Sequence, residues 1–298
     1  MVDMSEEVDG LNPLIAKGDK ARTPTSGIMD GASASDFAIV EKVHYDKNLG
    51  RRLYAPTTTS SFSLCSKVDG SRMAIELQGH VSTDSLATNI SNTGLTAQWF
   101  GGKNMLDAVN DMSSKMFAKD KSTNVLELGS GLGRSMIIAD MMKICGNTGV
   151  CVLTDGEEEV MELLRSNVVT NGRDEDILTQ LLRWGDAGHM DSVLATCPNG
   201  FEVIITADAI YGPQAAENLD NLMVTVLQLL TSNEMGVFYL ALARRGTIGV
   251  ESVQEVALKC GLSCETMDDY TYDIFANNVD TESDFWSDTI LRMQRMKS

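Results

Sequence analysis

Four short stretches carry residue types whose spacing could do chemistry. The first is VLELGSGLGRS, at 125–135. It sets apolar residues around one acid, Glu127, then glycines at 129, 131 and 133. This reads as a buried strand entering a glycine turn, where a backbone can approach a ligand closely. The dinucleotide fingerprint GxGxxG needs its third glycine at 134, and Arg134 stands there. A nicotinamide or flavin site is therefore matched only in part. A tight strand-to-helix turn explains the glycines equally well.

The second stretch is VLTD, ending in Asp155. An acid at the end of a neighbouring strand can accept both hydroxyls of a ribose. It can also cap the next helix, whose first turn would hold Glu157, Glu158 and Glu159 in solvent. The third is LLRWGD. The indole of Trp184 could stack on a purine or plug a half-buried gap. Asp186 could accept from an exocyclic amine or stand as a solvated loop acid. The fourth is IITADAIYGPQ, at 204–214. Asp208 and Tyr211 lie three residues apart, so a tight turn could converge both on one small group. An Asx-turn with a packed tyrosine is the plain alternative.

The elements that must position these residues alternate along the chain. Helical spacing is present over 99–117, 134–145, 157–172, 215–230 and 251–262. Strands are expected over 124–129, 149–155, 179–186, 201–208, 236–245, 263–270 and 288–296. Such alternation predicts an α/β fold: a parallel, doubly wound sheet with helices on both faces. The last two strands have no helix between them and read as antiparallel neighbours at an edge. Ahead of this, residues 1–37 form a Gly/Ser/Thr-rich tail, and 38–94 an extension with a β-hairpin near 60–80. Residues 95–298 then hold the alternating fold.

Composition narrows the partners. The 298 residues carry a formal net charge of −18, with 43% hydrophobic and 22% charged residues. This balance disfavours nucleic acid, since the Lys/Arg pairs Arg51–Arg52 and Arg244–Arg245 make no basic patch. The six cysteines form no CxxC pair, no histidine lies at metal-ligand spacing, and no metal site is expected. His44, His80 and His189 sit in no motif. An acidic N-terminus without an apolar core argues against a signal peptide, and no run is long enough to span a membrane. A cytoplasmic location is expected, with the nucleus as an alternative. No oligomeric state follows from the sequence.

Taken in order, ELGSGLG, LTD, LRWGD and ITADAIY resemble S-adenosylmethionine-dependent methyltransferases. More narrowly, they resemble the family-16 protein methyltransferases. That seven-β-strand group has a DxxY motif and includes the calmodulin-lysine methyltransferase. The resemblance covers about 50–298 and implies a Rossmann-like seven-stranded mixed sheet with S-adenosyl-L-methionine as cofactor. It implies that Gly129, Ser130 and Gly131 cradle the methionine part, that Asp155 binds the ribose, and that Trp184 lies beside the adenine. It also places Ala207 as the small residue before the DxxY, and Asp208 and Tyr211 on the substrate-lysine side. Trp99 resembles the tryptophan that the family sets before its first helix, although QWFGGKNM departs from the usual context. Glu127, costly in a buried strand unless paired, would face the cofactor's ammonium, a backbone amide or Lys103.

The expected reaction is methyl transfer to a neutral side-chain nitrogen of a protein, lysine first. Asp208 would hydrogen-bond the incoming amine and Tyr211 would shape a narrow channel. Nucleic-acid amino-methyltransferases place two prolines where Ala209 and Ile210 stand. A small-molecule N-methyltransferase and a non-catalytic cofactor-binding scaffold stay open as alternatives.

Overall fold

The computed structural model describes residues 37–45, 57–66, 72–80, 100–119, 121–243, 248–267, 272–273 and 287–297. Trp99, the tail 1–36, the turn at 68–70, Arg244–Arg245 and most of 271–287 lie outside the described residues. Lys103 is described in its backbone alone.

The N-terminal extension contributes β1 (Phe37–Tyr45), β2 (Thr57–Ser66) and β3 (Arg72–His80). The expected hairpin is β2–β3, paired antiparallel, and β1 adds a third antiparallel strand along β2. So the strand structure begins at residue 37, inside the segment read as tail. Its signal, FAIVEKVHY, is rich in aromatic and β-branched residues. On β3 the side chains alternate. Ile75 and Leu77 are fully buried, while Ala74, Glu76 and Gln78 are exposed.

The rest alternates as the sequence predicts: α1 (Phe100–Met116), β4 (Val125–Leu128), α2 (Met136–Ile144), β5 (Cys151–Asp155), α3 (Glu158–Thr170) and β6 (Ile177–Leu181). Then come α4 (Ala187–Leu194), β7 (Val203–Ala207), α5 (Ala215–Leu229), β8 (Val237–Ala243), α6 (Val250–Lys259), β9 (Leu262–Thr266), β10 (Tyr272–Asp273) and β11 (Ser287–Arg295). The sheet order is β10-β11-β8-β7-β4-β5-β6, with β9 also on β11. β9 pairs with 291–295 and β10 with 287–288, so the two share one edge position. The result is a seven-position mixed sheet, parallel from β8 through β6, with β11 antiparallel to β8.

The strands are short apolar runs because both faces are covered. Val125, Leu153 and Ile205 join α1, α2, α3 and the buried side chains of β3 in one core. Leu126, Leu128 and Ile204 join α4, α5 and α6 in the other. Glu127 therefore occupies a position that alternation assigns to the first core. Cys151 is buried in it, and burial pushes its thiol up to about 12, which keeps it protonated and unreactive.

Helix α4 is absent from the sequence reading. It has eight residues and buries only Met190 and Val193, too short a period to stand out. Its start signal is Asp186, whose carboxylate accepts from the His189 N–H at 2.9 Å. Asp186 is thus an N-cap, a role that neither of its two expected readings contains.

Candidate active site

In an open α/β sheet a cleft forms outside the strand ends where the order reverses. Here the chain runs β4 to β5 to β6, then crosses to β7 on the other side of β4. The ends of β4 and β7 therefore flank the reversal. The structure brings together there Glu127, Gly129, Ser130, Gly131, Asp155, Trp184, Ala207 and Asp208.

The loop after β4 is held by side chains of its neighbours. Ser130 donates its N–H to the Thr154 carbonyl at 2.8 Å, and its hydroxyl accepts from the Thr154 N–H at 3.0 Å. Thr154 and Thr206 donate their hydroxyls to the carbonyls of Glu127 and Leu128, both at 2.6 Å. These buried threonines rivet β4 to β5 and β7. Gly129, Gly131 and Gly133 have φ of +74°, +52° and +87°, which explains three glycines in five residues.

Asp155 accepts from two backbone N–H groups. One carboxylate oxygen accepts from the Gly131 N–H at 3.0 Å and the other from the Glu157 N–H at 3.2 Å. It ties the glycine loop to the start of α3, and an ionised carboxylate still has acceptor capacity for a ligand. Burial raises its pKa, against the lowering by those backbone N–H groups. Glu157 itself makes no side-chain cap.

Glu127 is buried, and its partner is the hydroxyl of Ser135, which donates to it. Sequence reading named a backbone amide or Lys103 for this role and missed Ser135. The two are eight residues apart, and the glycine turn between them brings Ser135 back to the end of β4. Burial raises the Glu127 pKa, and the hydroxyls of Ser130 and Ser135 lower it less. Glu127 lines a small pocket with Ser135, Arg134, Met105, Ile205 and Ala207. Arg134, which breaks the dinucleotide pattern, thus brings a cation to the same space as a buried acid.

Trp184 is half-buried in the turn after β6. A Cβ built on Gly129 would lie 3.7 Å from its indole and 3.2 Å from the Ala209 methyl. That places the turn after β7 directly against the glycine loop. In this turn Asp208 has φ of +54°, the sole positive value among described non-glycine residues. Its N–H continues the β7–β8 ladder, donating to the Ala241 carbonyl at 3.0 Å. A left-handed aspartate costs about 1 kcal/mol, and such strain collects at functional sites. Tyr211 is half-buried on the same turn, with Ile210 buried beneath it.

A family model for lysine methyltransferases matches residues 71–256. The chain belongs to this family. The match runs from the last strand of the N-terminal extension into α6, and so takes in every strand end of the methyltransferase cleft. No curated protein matches the chain. Among solved structures, SMU.776, provisionally assigned as a methyltransferase and solved with SAH, is 12% identical with a TM-score of 0.48. That alignment covers 78% of this chain and 56% of the other, so the chain spans little more than half of that protein. A TehB-like SAM-dependent methyltransferase from Corynebacterium glutamicum is 10% identical, TM-score 0.41, over 66% of this chain and 98% of the other. An O-methyltransferase from Bacillus cereus, solved with SAH, is 16% identical, TM-score 0.41, over 65% and 80%. The strand order of the chain itself carries the fold. No helix among the described residues is long and apolar enough to cross a membrane.

Proposed function

We propose that this methyltransferase moves a methyl group from S-adenosylmethionine to a side-chain nitrogen of a protein, a lysine amine before others. The observation that supports it most is the contact between the glycine loop and the Asp208–Tyr211 turn at Gly129 and Ala209. A donor cradle and an acceptor turn that touch satisfy the first demand of group transfer, which is proximity.

The residues present fit the cofactor. Gly129 leaves space that a Cβ would fill, Glu127 is a buried acid suited to an ammonium, and Asp155 has acceptor capacity for ribose hydroxyls. Trp184 offers an aromatic face beside that loop. When bound, S-adenosylmethionine supplies an activated methyl on a sulfonium. The chain's own work is then positional. Asp208 accepts a hydrogen bond from the incoming amine and orients its lone pair. Tyr211 walls the approach, and exclusion of water favours the neutral amine. Asp208 need not be a strong base, because the amine's proton can leave to water beforehand.

Incubation with labelled S-adenosylmethionine and a soluble cell extract, followed by mass spectrometry of the labelled band, tests the reading. A single protein labelled on lysine is expected. Absence of S-adenosylmethionine binding in calorimetry would overturn it.

A further inference from the structure

Helix α3 docks the N-terminal sheet with two side-chain amides in place of a strand. Asn171 accepts the Glu76 N–H at 2.7 Å and donates to the Glu76 carbonyl at 2.7 Å. One helical turn earlier, Asn167 accepts the Gln78 N–H at 3.0 Å and donates to the Gln78 carbonyl at 3.0 Å. Alternate residues of a strand present N–H and C=O to the same side, so amides at i and i+4 of a helix match residues two apart on β3. Pairing with both groups of one residue fixes which end of each amide is oxygen.

The two asparagines differ in one bond. Asn167, 1% exposed, donates its second N–H to the Leu132 carbonyl at 3.0 Å. Leu132 lies inside the glycine loop. The second N–H of Asn171 stays within α3, on the Asn167 carbonyl at 2.7 Å. The Asn167 amide thereby has both donors and its oxygen engaged, one N–H on the loop and the other groups on the extension.

We infer that Asn167 is a positioning residue through which the N-terminal sheet holds the glycine loop in its cofactor-binding shape. The cofactor part of this rests on the function proposed above; the coupling part does not. Asn171 is a built-in control, because it makes the same contacts to β3 and none to the loop.

The test compares matched pairs in the full chain. Hydrogen exchange of loop residues 129–136 is read without ligand, and S-adenosylmethionine affinity is read by calorimetry. Asn167→Ala is expected to speed loop exchange and weaken binding about tenfold, the effect of losing a buried hydrogen bond. Asn171→Ala is expected to loosen β3 while leaving loop exchange and affinity unchanged. A second pair acts from the sheet side. Gln78→Pro removes the N–H that Asn167 accepts, and Glu76→Pro the one that Asn171 accepts, at an edge where proline is tolerated. Gln78→Pro should speed loop exchange and Glu76→Pro should not, which keeps the inference testable if Asn167→Ala fails to fold. Equal loop exchange within the sheet-side pair, or within the helix-side pair when both variants fold, overturns the coupling. A wild-type chain that binds no S-adenosylmethionine overturns the cofactor reading instead, and the exchange measurement still judges the coupling.

Discussion

The loops after β4 and β7 meet at Gly129 and Ala209 but are built by opposite means. The β4 loop takes its left-handed positions with glycine, and Thr154 and Asp155 of β5 and the Asn167 amide of α3 hold it. The β7 turn puts an aspartate at φ of +54° and keeps it there by continuing the ladder to β8. The first is stabilised at each step. The second stores strain where a side chain is needed. The contrast teaches that a backbone cradle can be made with glycine, whereas a position proposed to meet the substrate keeps its side chain at a conformational cost.

This contrast can be broken at either end. The largest expected effect is from Asp208→Ala: methyl transfer falls about a hundredfold or more, while S-adenosylmethionine affinity holds. Full activity with bound cofactor would remove Asp208 from the mechanism. Asp155→Asn should do the reverse, weakening cofactor affinity about tenfold to a hundredfold through loss of charged acceptor strength, as calorimetry will read. Gly129→Ala combines a strained φ with a 3.2 Å approach to Ala209 and should lower stability by about 1–2 kcal/mol, with cofactor binding lost. Asp208→Gly sharpens the comparison from the other side. It relieves the strain and should raise stability by about 0.5–1 kcal/mol in denaturant unfolding even as activity disappears.

Glu127→Gln is the smallest test. Because burial raises the Glu127 pKa above 4.5, ionisation destabilises the native chain as pH rises from that value through the raised one. The glutamine variant should match the wild type in acid and exceed it at neutral pH without ligand. A stability difference that does not grow with pH over this window would show that the carboxylate is not penalised.

Much of this was legible in the sequence for a physical reason. Parallel strands buried on both faces are short apolar runs, and amphipathic helices such as Val160–Val168 announce their faces. The residues proposed to bind at the strand ends follow from that order. What was hidden depends on contacts distant in sequence. Nothing in the chain near Glu127 marks Ser135 as its partner, because the turn's glycines decide which residues come back. Asn167 looks like an ordinary helical asparagine until β3 lies beside it. Helix α4 was lost because two buried residues do not make a period. The role of Trp99 lies outside the described residues.

The bonds from Thr154 and Asp155 into the β4 loop have a kinetic consequence. Each joins two parts of the chain itself, so the loop is ordered by the chain's own contacts. A rigid cradle would hold the methyl donor and its demethylated product through the same contacts, since they differ only at the sulfur, by one methyl and its positive charge. The proposed site would tell spent from fresh cofactor only at that sulfur. Product inhibition would follow from such a geometry, and the ratio of the two in the surroundings would govern how fast the protein turns over.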